Sequence, residues 1–252
     1  GNIFSNVSAG IGDEISTFPD YPAEIRAPQG TLGGGSGFQV HIGKGVHTPG
    51  DLADVLVAMN PAALKTNACY VKKGGVVIID SDSFRASDLE KAAFTTDDPI
   101  QEAGLSHAQI VPVAITQMVK DSLADSGLDT KSIVPCKNMF ALGLVCWLFD
   151  RPLEQAQHLL KNKFAKKPAI YEANAKVMRD GYNYGNNIHA SVSTYRVESA
   201  QVKPGIYTDV NGNTATAWGL IAASEKSGLP LFLGSYPITP ATDILHELAK
   251  LK

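Results

Sequence analysis

Residues 76–80 read VVIID, five residues with no polar interruption before the aspartate. DVLVAM (Asp54–Met59) precedes this run and IVPVAI (Ile110–Ile115) follows it. Such continuous apolar runs suit strands buried on both faces, which is the situation of a parallel sheet covered by helices. PAALKTNACYVKK (61–73) and TQMVKDSLAD (116–125) supply helical stretches between or after them. FQVHI (Phe38–Ile42) reads as a further strand of the same alternating region. The expected fold is therefore α/β, three layers deep, with a mainly parallel sheet. The strand ends at Met59, Asp80 and Ile115 are expected along one edge, where open α/β sheets place their ligands.

From Lys137 the pattern turns helical. KNMFALGLVCWLF (137–149) is apolar on every side and predicts a buried helix. Asp150, Arg151 and Pro152 break it, with Pro152 opening PLEQAQHLLKNKF. A further helix over AIYEANAKVMRDGYNYG is expected to end at Gly181 or Gly185. Residues 191–211, rich in Ser, Pro and Gly, read as a linker after a domain spanning 1–190. GNTATAWGLIAASEKSG (212–228) then predicts a helix, LFL (231–233) a strand, and Ile244, Leu245 and Leu248 a last helix. A strand, a turn and a helix begun so late, with no initiator Met at Gly1, lead us to expect a chain cut at both ends.

Composition narrows the function classes. The net charge of −3 gives no argument for nucleic acid or an anionic membrane. The longest apolar stretch, Met139–Phe149, is too short to span a bilayer. Cys69, Cys136 and Cys146 share no C-x-x-C spacing, so no iron–sulfur cluster and no structural zinc is expected within the chain, and the thiols read as buried and reduced in a cytoplasmic protein. The six histidines are scattered without metal-ligand spacing.

Three stretches have the composition of a site. YPAEIRAPQGTLGGGSGF (21–38) holds five glycines between Gly30 and Gly37 just after Arg26, a pattern that serves either an anion or a flexible connection. Asp80, Ser81, Asp82 and Ser83 end a strand and either bind a cation or cap the helix expected near residues 86–93, capping being preferred. In YPITPAT two prolines restrict Ile238 and Thr239 and present Thr239 at a helix N-terminus, where a carboxylate or a phosphate is favoured.

YPITPAT after GNTATAWG resembles the opening of the pyrimidine-binding domain of the 2-oxoacid:ferredoxin oxidoreductases. YPAEIR…GSGFQVHIG, KNMFALG and PAIYEANAKVMRDGYNYG are similar to the gamma domain of that family. Their order resembles the alpha subunit of the two-subunit enzymes, most like those acting on 2-oxoglutarate, and covers nearly the whole chain. The resemblance implies a gamma domain over 1–190, a linker over 191–211 and, over 212–252, the first elements of a second α/β domain of thiamine type. It implies oxidative decarboxylation of a 2-oxoacid with coenzyme A, giving acyl-CoA and carbon dioxide with reduction of ferredoxin. Thiamine diphosphate, Mg2+ and an iron–sulfur cluster would serve the whole complex, mostly from a partner beta subunit. Thr239 would contact the 2-oxoacid carboxylate, with Tyr236, Pro237 and Ile238 shaping its pocket. Arg26, with Tyr21, would contact coenzyme A. No catalytic residue and no metal ligand is expected in this stretch, since the glutamate that activates thiamine would lie beyond Lys252. The competing readings are a non-catalytic assembly module of the same complex and a flavodoxin-like electron carrier.

Overall fold

A computed structural model describes residues 1–20, 36–188, 192–200, 203–238 and 240–251. The chain divides into two compact units, one within residues 1–202 and the other within 203–252.

The first unit opens with helix α1 (Asn2–Gly10) and a hairpin of β1 (Glu14–Asp20) and β2 (Gly37–Gly43), antiparallel with Glu14 opposite Gly43. A separate sheet follows, made of β3 (Ala53–Ala58), β4 (Val71–Asp80) and β5 (Gln109–Val113). Its strands are parallel and lie in chain order, with Val76 paired to Val55 on one side and Gln109 on the other. The three apolar runs are thus neighbouring parallel strands, as their continuity requires. FQVHI is not one of them. It pairs with EISTFPD, a strand its mixed composition concealed, and its side chains are only half-buried because a hairpin covers one face.

Helices cover both faces of the parallel sheet. Along β4 the side chains alternate between two clusters. Val77 and Ile79 pack with Leu64 of α2 (Pro61–Asn67), Leu89 of α3 (Ala86–Lys91) and residues beside α4 (Pro99–Glu102). Val76 and Ile78 pack with α5 (Ile115–Ser122), the segment following α6 (Thr130–Ile133), α7 (Lys137–Leu148) and α9 (Pro168–Ile188). Asn60 caps α2 by accepting from Ala63 N at 2.8 Å, and Pro61 needs no acceptor in its first turn. That helix stops at Asn67, short of the 61–73 span its composition suggested, because Val71 to Lys73 already belong to β4.

The expected buried helix is α7, with Phe140, Leu144 and Leu148 almost inaccessible. Asp150, at φ 53°, ends the turn after it, and α8 (Leu153–Lys163) follows. Behind this break Arg151 meets Asp13 at 2.7 Å, both side chains buried. Burial pushes the Asp13 carboxyl up, with the Arg151 charge opposing it.

Helix α9 does not end at Gly181 or Gly185 but runs through both to Ile188. A Cβ on Gly181 would sit 2.1 Å from Phe140 O, one on Gly143 would sit 1.9 Å from Met178 O, and one on Gly185 would enter the Trp147 ring at 2.2 Å. These glycines let the backbones of α7 and α9 touch. They are contact residues, which a local pattern cannot separate from helix terminators.

Residues 192–200 have no regular structure, yet they are fastened to the first unit. Tyr195 N donates to Leu148 O at 2.8 Å, Ala200 N to Gly12 O at 2.8 Å, and the Tyr195 hydroxyl to Asp54 O at 3.1 Å. The second unit consists of α10 (Gly212–Ser227) and α11 (Thr242–Lys250). Asn211 caps α10 at Thr214 N, and Gly228, at φ 70°, closes it. LFL is not a strand: it has no pairing partner among the described residues, and a strand exists only through one.

Glu102 ties the α2 face together. Its carboxylate accepts from Thr95 N at 2.8 Å and Thr96 N at 3.0 Å and meets Lys65 at 3.2 Å. Burial pushes this carboxyl up, but the bonds from Thr95, Thr96 and Lys65 outweigh it and hold it at about 2.

Three predictions follow from this architecture. Gly181→Ala must separate α7 from α9 and should cost about 1–3 kcal/mol in urea unfolding, whereas Gly219→Ala, with open space around it on α10, should be neutral or better. A carboxyl depressed in the folded state stabilises above its ordinary value of 4.5, and that contribution is lost as pH falls towards about 2. Glu102→Gln should therefore flatten the fall of the urea midpoint over that window; an unchanged slope would show the latch to be inert. Among the described residues of the second unit only Ala217 is fully buried, so hydrogen exchange should be fastest across 212–251; protection equal to that of β4 would contradict this.

Candidate functional site

The parallel sheet brings the ends of β3, β4 and β5 to one edge, with Ala58 beside Ile79 and Asp80 beside Val113. Asp80 is fully buried there. Its Oδ2 accepts from the Thr116 hydroxyl at 2.7 Å and the Ser83 hydroxyl at 2.9 Å, and its Oδ1 from Thr116 N at 3.2 Å. Lys137 Nζ stands 3.6 Å away. Asp82 accepts from Gln117 N at 2.7 Å. The two acids therefore cap a helix, as preferred from sequence, but the helix is α5 and not α3. The N-cap of α3 is Arg85, with no side-chain bond. The reason is topological: β5 lies beside β4, so the helix leaving β5 starts against the end of β4. With Thr116, Ser83 and Lys137 around it, Asp80 serves the fold.

A second polar constellation lies in a groove of about 480 Å³ along α5, α7 and α9, floored by Met118, Phe140 and Tyr184. The Ser122 hydroxyl donates to Asp180 Oδ2 at 2.5 Å, and Lys176 Nζ donates to Ser122 O at 2.8 Å. Lys176 thus supplies a donor to a free carbonyl at the C-terminus of α5. These bonds join α5 to α9, so the trio braces two helices. No single-sequence signal announces it.

The thiols are unreactive in two cases. Cys136 and Cys146 are buried, and burial raises Cys136 and pushes Cys146 up to about 12. Cys69 is exposed, contrary to the expectation that all three are buried, because it sits in the turn between α2 and β4. Among the described residues no group of three or more His, Cys, Asp or Glu side chains is placed to hold a metal ion.

Within the second unit, Tyr236, Pro237 and Ile238 form an exposed irregular stretch that leads towards α11. Thr242 fixes its end. The Thr242 hydroxyl accepts from Ile238 N at 2.9 Å and lies 3.0 Å from Ile238 O, which also accepts from Thr242 N at 2.9 Å. Asn213 of α10 holds the other side by donating to Pro240 O at 2.9 Å. Tyr236 is 80% exposed and Ile238 53%, so both present their side chains outward. Thr239 lies outside the described residues, as do Tyr21 and Arg26. Of the six residues singled out from sequence, Tyr236, Pro237 and Ile238, consecutive in the chain, are the described ones.

Comparison with known proteins agrees with this architecture. The fold is similar to that of 2-oxoglutarate:ferredoxin oxidoreductase from Magnetococcus marinus, solved with 2-oxoglutarate, coenzyme A and succinyl-CoA bound. The TM-score is 0.69 at 24% identity, over 99% of this chain and 38% of that one. The sequence is 46% identical over 253 residues to 2-oxoglutarate oxidoreductase subunit KorA of Mycobacterium tuberculosis. That alignment covers 100% of this chain and 39% of the relative, so the chain spans well under half the length of that curated protein. Residues 1–184, which carry the hairpin, the parallel sheet and nearly all of α9, match the profile described as pyruvate ferredoxin/flavodoxin oxidoreductase. By that match this chain belongs to the pyruvate ferredoxin/flavodoxin oxidoreductase family.

Proposed function

We propose that the chain is part of the alpha subunit of a 2-oxoglutarate:ferredoxin oxidoreductase. The reaction is oxidative decarboxylation of 2-oxoglutarate with coenzyme A, releasing carbon dioxide and succinyl-CoA while ferredoxin takes the electrons. The observation that carries this reading is the 46% identity, over the whole chain, to a 2-oxoglutarate oxidoreductase subunit. The ligands of the Magnetococcus marinus enzyme are two substrates and a product of the same reaction. Residues 1–190 act as the gamma domain, 191–211 as the linker, and 212–252 as the start of the pyrimidine-binding domain. The alternative of a flavodoxin-like carrier has no comparable support.

In this reading Thr239 donates a hydroxyl hydrogen bond to the 2-oxoacid carboxylate. Tyr236, Pro237 and Ile238 shape the pocket beside it in this reading. Arg26, with Tyr21, contacts a phosphate of coenzyme A. Thiamine diphosphate with Mg2+ supplies the carbanion chemistry when bound, and an iron–sulfur cluster conducts the electrons. These groups belong mostly to the partner beta subunit in our reading. No helix among the described residues is long and apolar enough to cross a membrane. A cytoplasmic location accompanies the assignment.

The test uses the full-length subunit assembled with its partner. Ferredoxin reduction should require both 2-oxoglutarate and coenzyme A; activity with pyruvate and none with 2-oxoglutarate would overturn the substrate. Arg26→Ala should weaken coenzyme A by roughly ten- to a hundredfold, the value of a charge-assisted hydrogen bond of about 1.5–3 kcal/mol, and leave 2-oxoglutarate binding unchanged. Thr239→Val keeps the volume but should slow single-turnover reduction of the clusters by 2-oxoglutarate before coenzyme A is added. A wild-type rate in that experiment would reduce Thr239 to a helix cap.

A further inference from the structure

Between Glu154 and Glu172 the chain contains no carboxylate, and within that interval the segment KNKFAKK places Lys161, Lys163, Lys166 and Lys167. All four are exposed, and none is in an ion pair among the described residues. The scaffold beneath them is firm. Phe164 N donates to Leu160 O at 3.0 Å, Lys167 N to Phe164 O at 2.8 Å, and Tyr171 N to Lys167 O at 3.0 Å. Leu160, Phe164 and Tyr171 anchor this turn in the cluster formed with α1, and α1 carries no acid either.

Part of this charge has a local explanation. Lys161 and Lys163 occupy the last turn of α8, where the helix dipole favours cations. The same argument runs the other way for Lys166 and Lys167. They immediately precede Pro168, the start of a 21-residue helix whose first turn has no acidic residue. There the dipole adds to their charge instead of offsetting it. Four exposed lysines and a helix N-terminus thus fall within one ordered corner, with no ion pair to any of the four among the described residues.

We propose that this corner of the α8–α9 turn is a docking surface for a protein partner presenting a compact acidic face. A compact partner suits the surroundings better than a long polyanion. The chain has a formal charge of −3 with these lysines included, so a duplex or an anionic bilayer reaching beyond the corner meets a surface that is net negative. The aromatic rings of this turn, Phe164 and Tyr171, are half-buried, and Lys163 lies 5.8 Å from the Phe164 centroid, so the corner presents no exposed ring for stacking a base. Charge complementarity of this kind chiefly raises the rate of encounter and makes it salt-dependent.

The experiment measures binding of a fluorescein-labelled oligoglutamate peptide to the full chain by anisotropy at low ionic strength. Duplex DNA of mixed sequence and phosphatidylserine vesicles are measured in parallel. The peptide should bind, and binding should weaken steeply towards physiological salt. Changing Lys161, Lys163, Lys166 and Lys167 together to Gln should reduce affinity by about tenfold or more. The same four-charge change at Lys73, Lys91, Lys120 and Lys131, elsewhere on the first unit, should leave most of it. Equal losses in the two variants would show a net-charge effect and overturn the site, as would absence of peptide binding. Tighter binding of the duplex or the vesicles than of the peptide would overturn the protein partner. Unchanged far-UV circular dichroism of both variants separates lost docking from lost fold.

Discussion

The contact on which the first unit depends is the backbone-to-backbone approach of α7 and α9. Gly143 on one helix and Gly181 on the other face carbonyl oxygens, and a single methyl group at either place would overlap the opposing backbone. With α9 this close, α7 lies between two clusters. Phe140, Leu144 and Leu148 reach Val76, Ile78 and Val113 of the sheet, while Leu142 and Cys146 reach Phe4, Ala156 and Leu160. That placement explains why KNMFALGLVCWL has no polar face. It also gives the hairpin its support, since Val40 and Ile42 of β2 pack onto the same second cluster.

What could be read from the sequence followed how local the determining physics is. Continuous apolar runs mark strands covered on both sides, and DVLVAM, VVIID and IVPVAI are parallel neighbours in that order. FQVHI has the residue preferences of a strand, but which strand it pairs with is a tertiary matter, and the half-exposed EISTFPD carried too weak a signal to be noticed. Glycine inside a helical pattern has two meanings, termination or close approach, and only the partner helix decides between them. The capping acids show the same division. That Asp80 and Asp82 would satisfy helix amides was legible; that the amides would be those of Thr116 and Gln117 required knowing that β5 lies beside β4.

For the site, the two prolines flanking Ile238 and Thr239 were legible, and the hydrogen bonds at Ile238 and Pro240 were not. Thr242 engages Ile238 through both its hydroxyl and its amide, and Asn213 reaches Pro240 from α10. The proposed substrate and the proposed roles of Thr239 and Arg26 rest on resemblance to a family, since neither periodicity nor composition indicates them.

The geometry of that turn rests on bonds made within a few residues and on one bond from α10, not on a core. Phe232 is 90% exposed and Tyr236 80%, while among the described residues of the second unit only Ala217 is fully enclosed. A segment of this size buries too little apolar surface to order itself through the hydrophobic effect. Local hydrogen bonds can set the shape of a turn, but they do not fix its position relative to a distant reacting group, because each contributes only about 1 kcal/mol. Shape and placement are therefore supplied separately. Among the described residues the first rests on Thr242 and on Asn213 of α10, while Trp218, Phe232 and Tyr236 stay exposed and contribute nothing to the second.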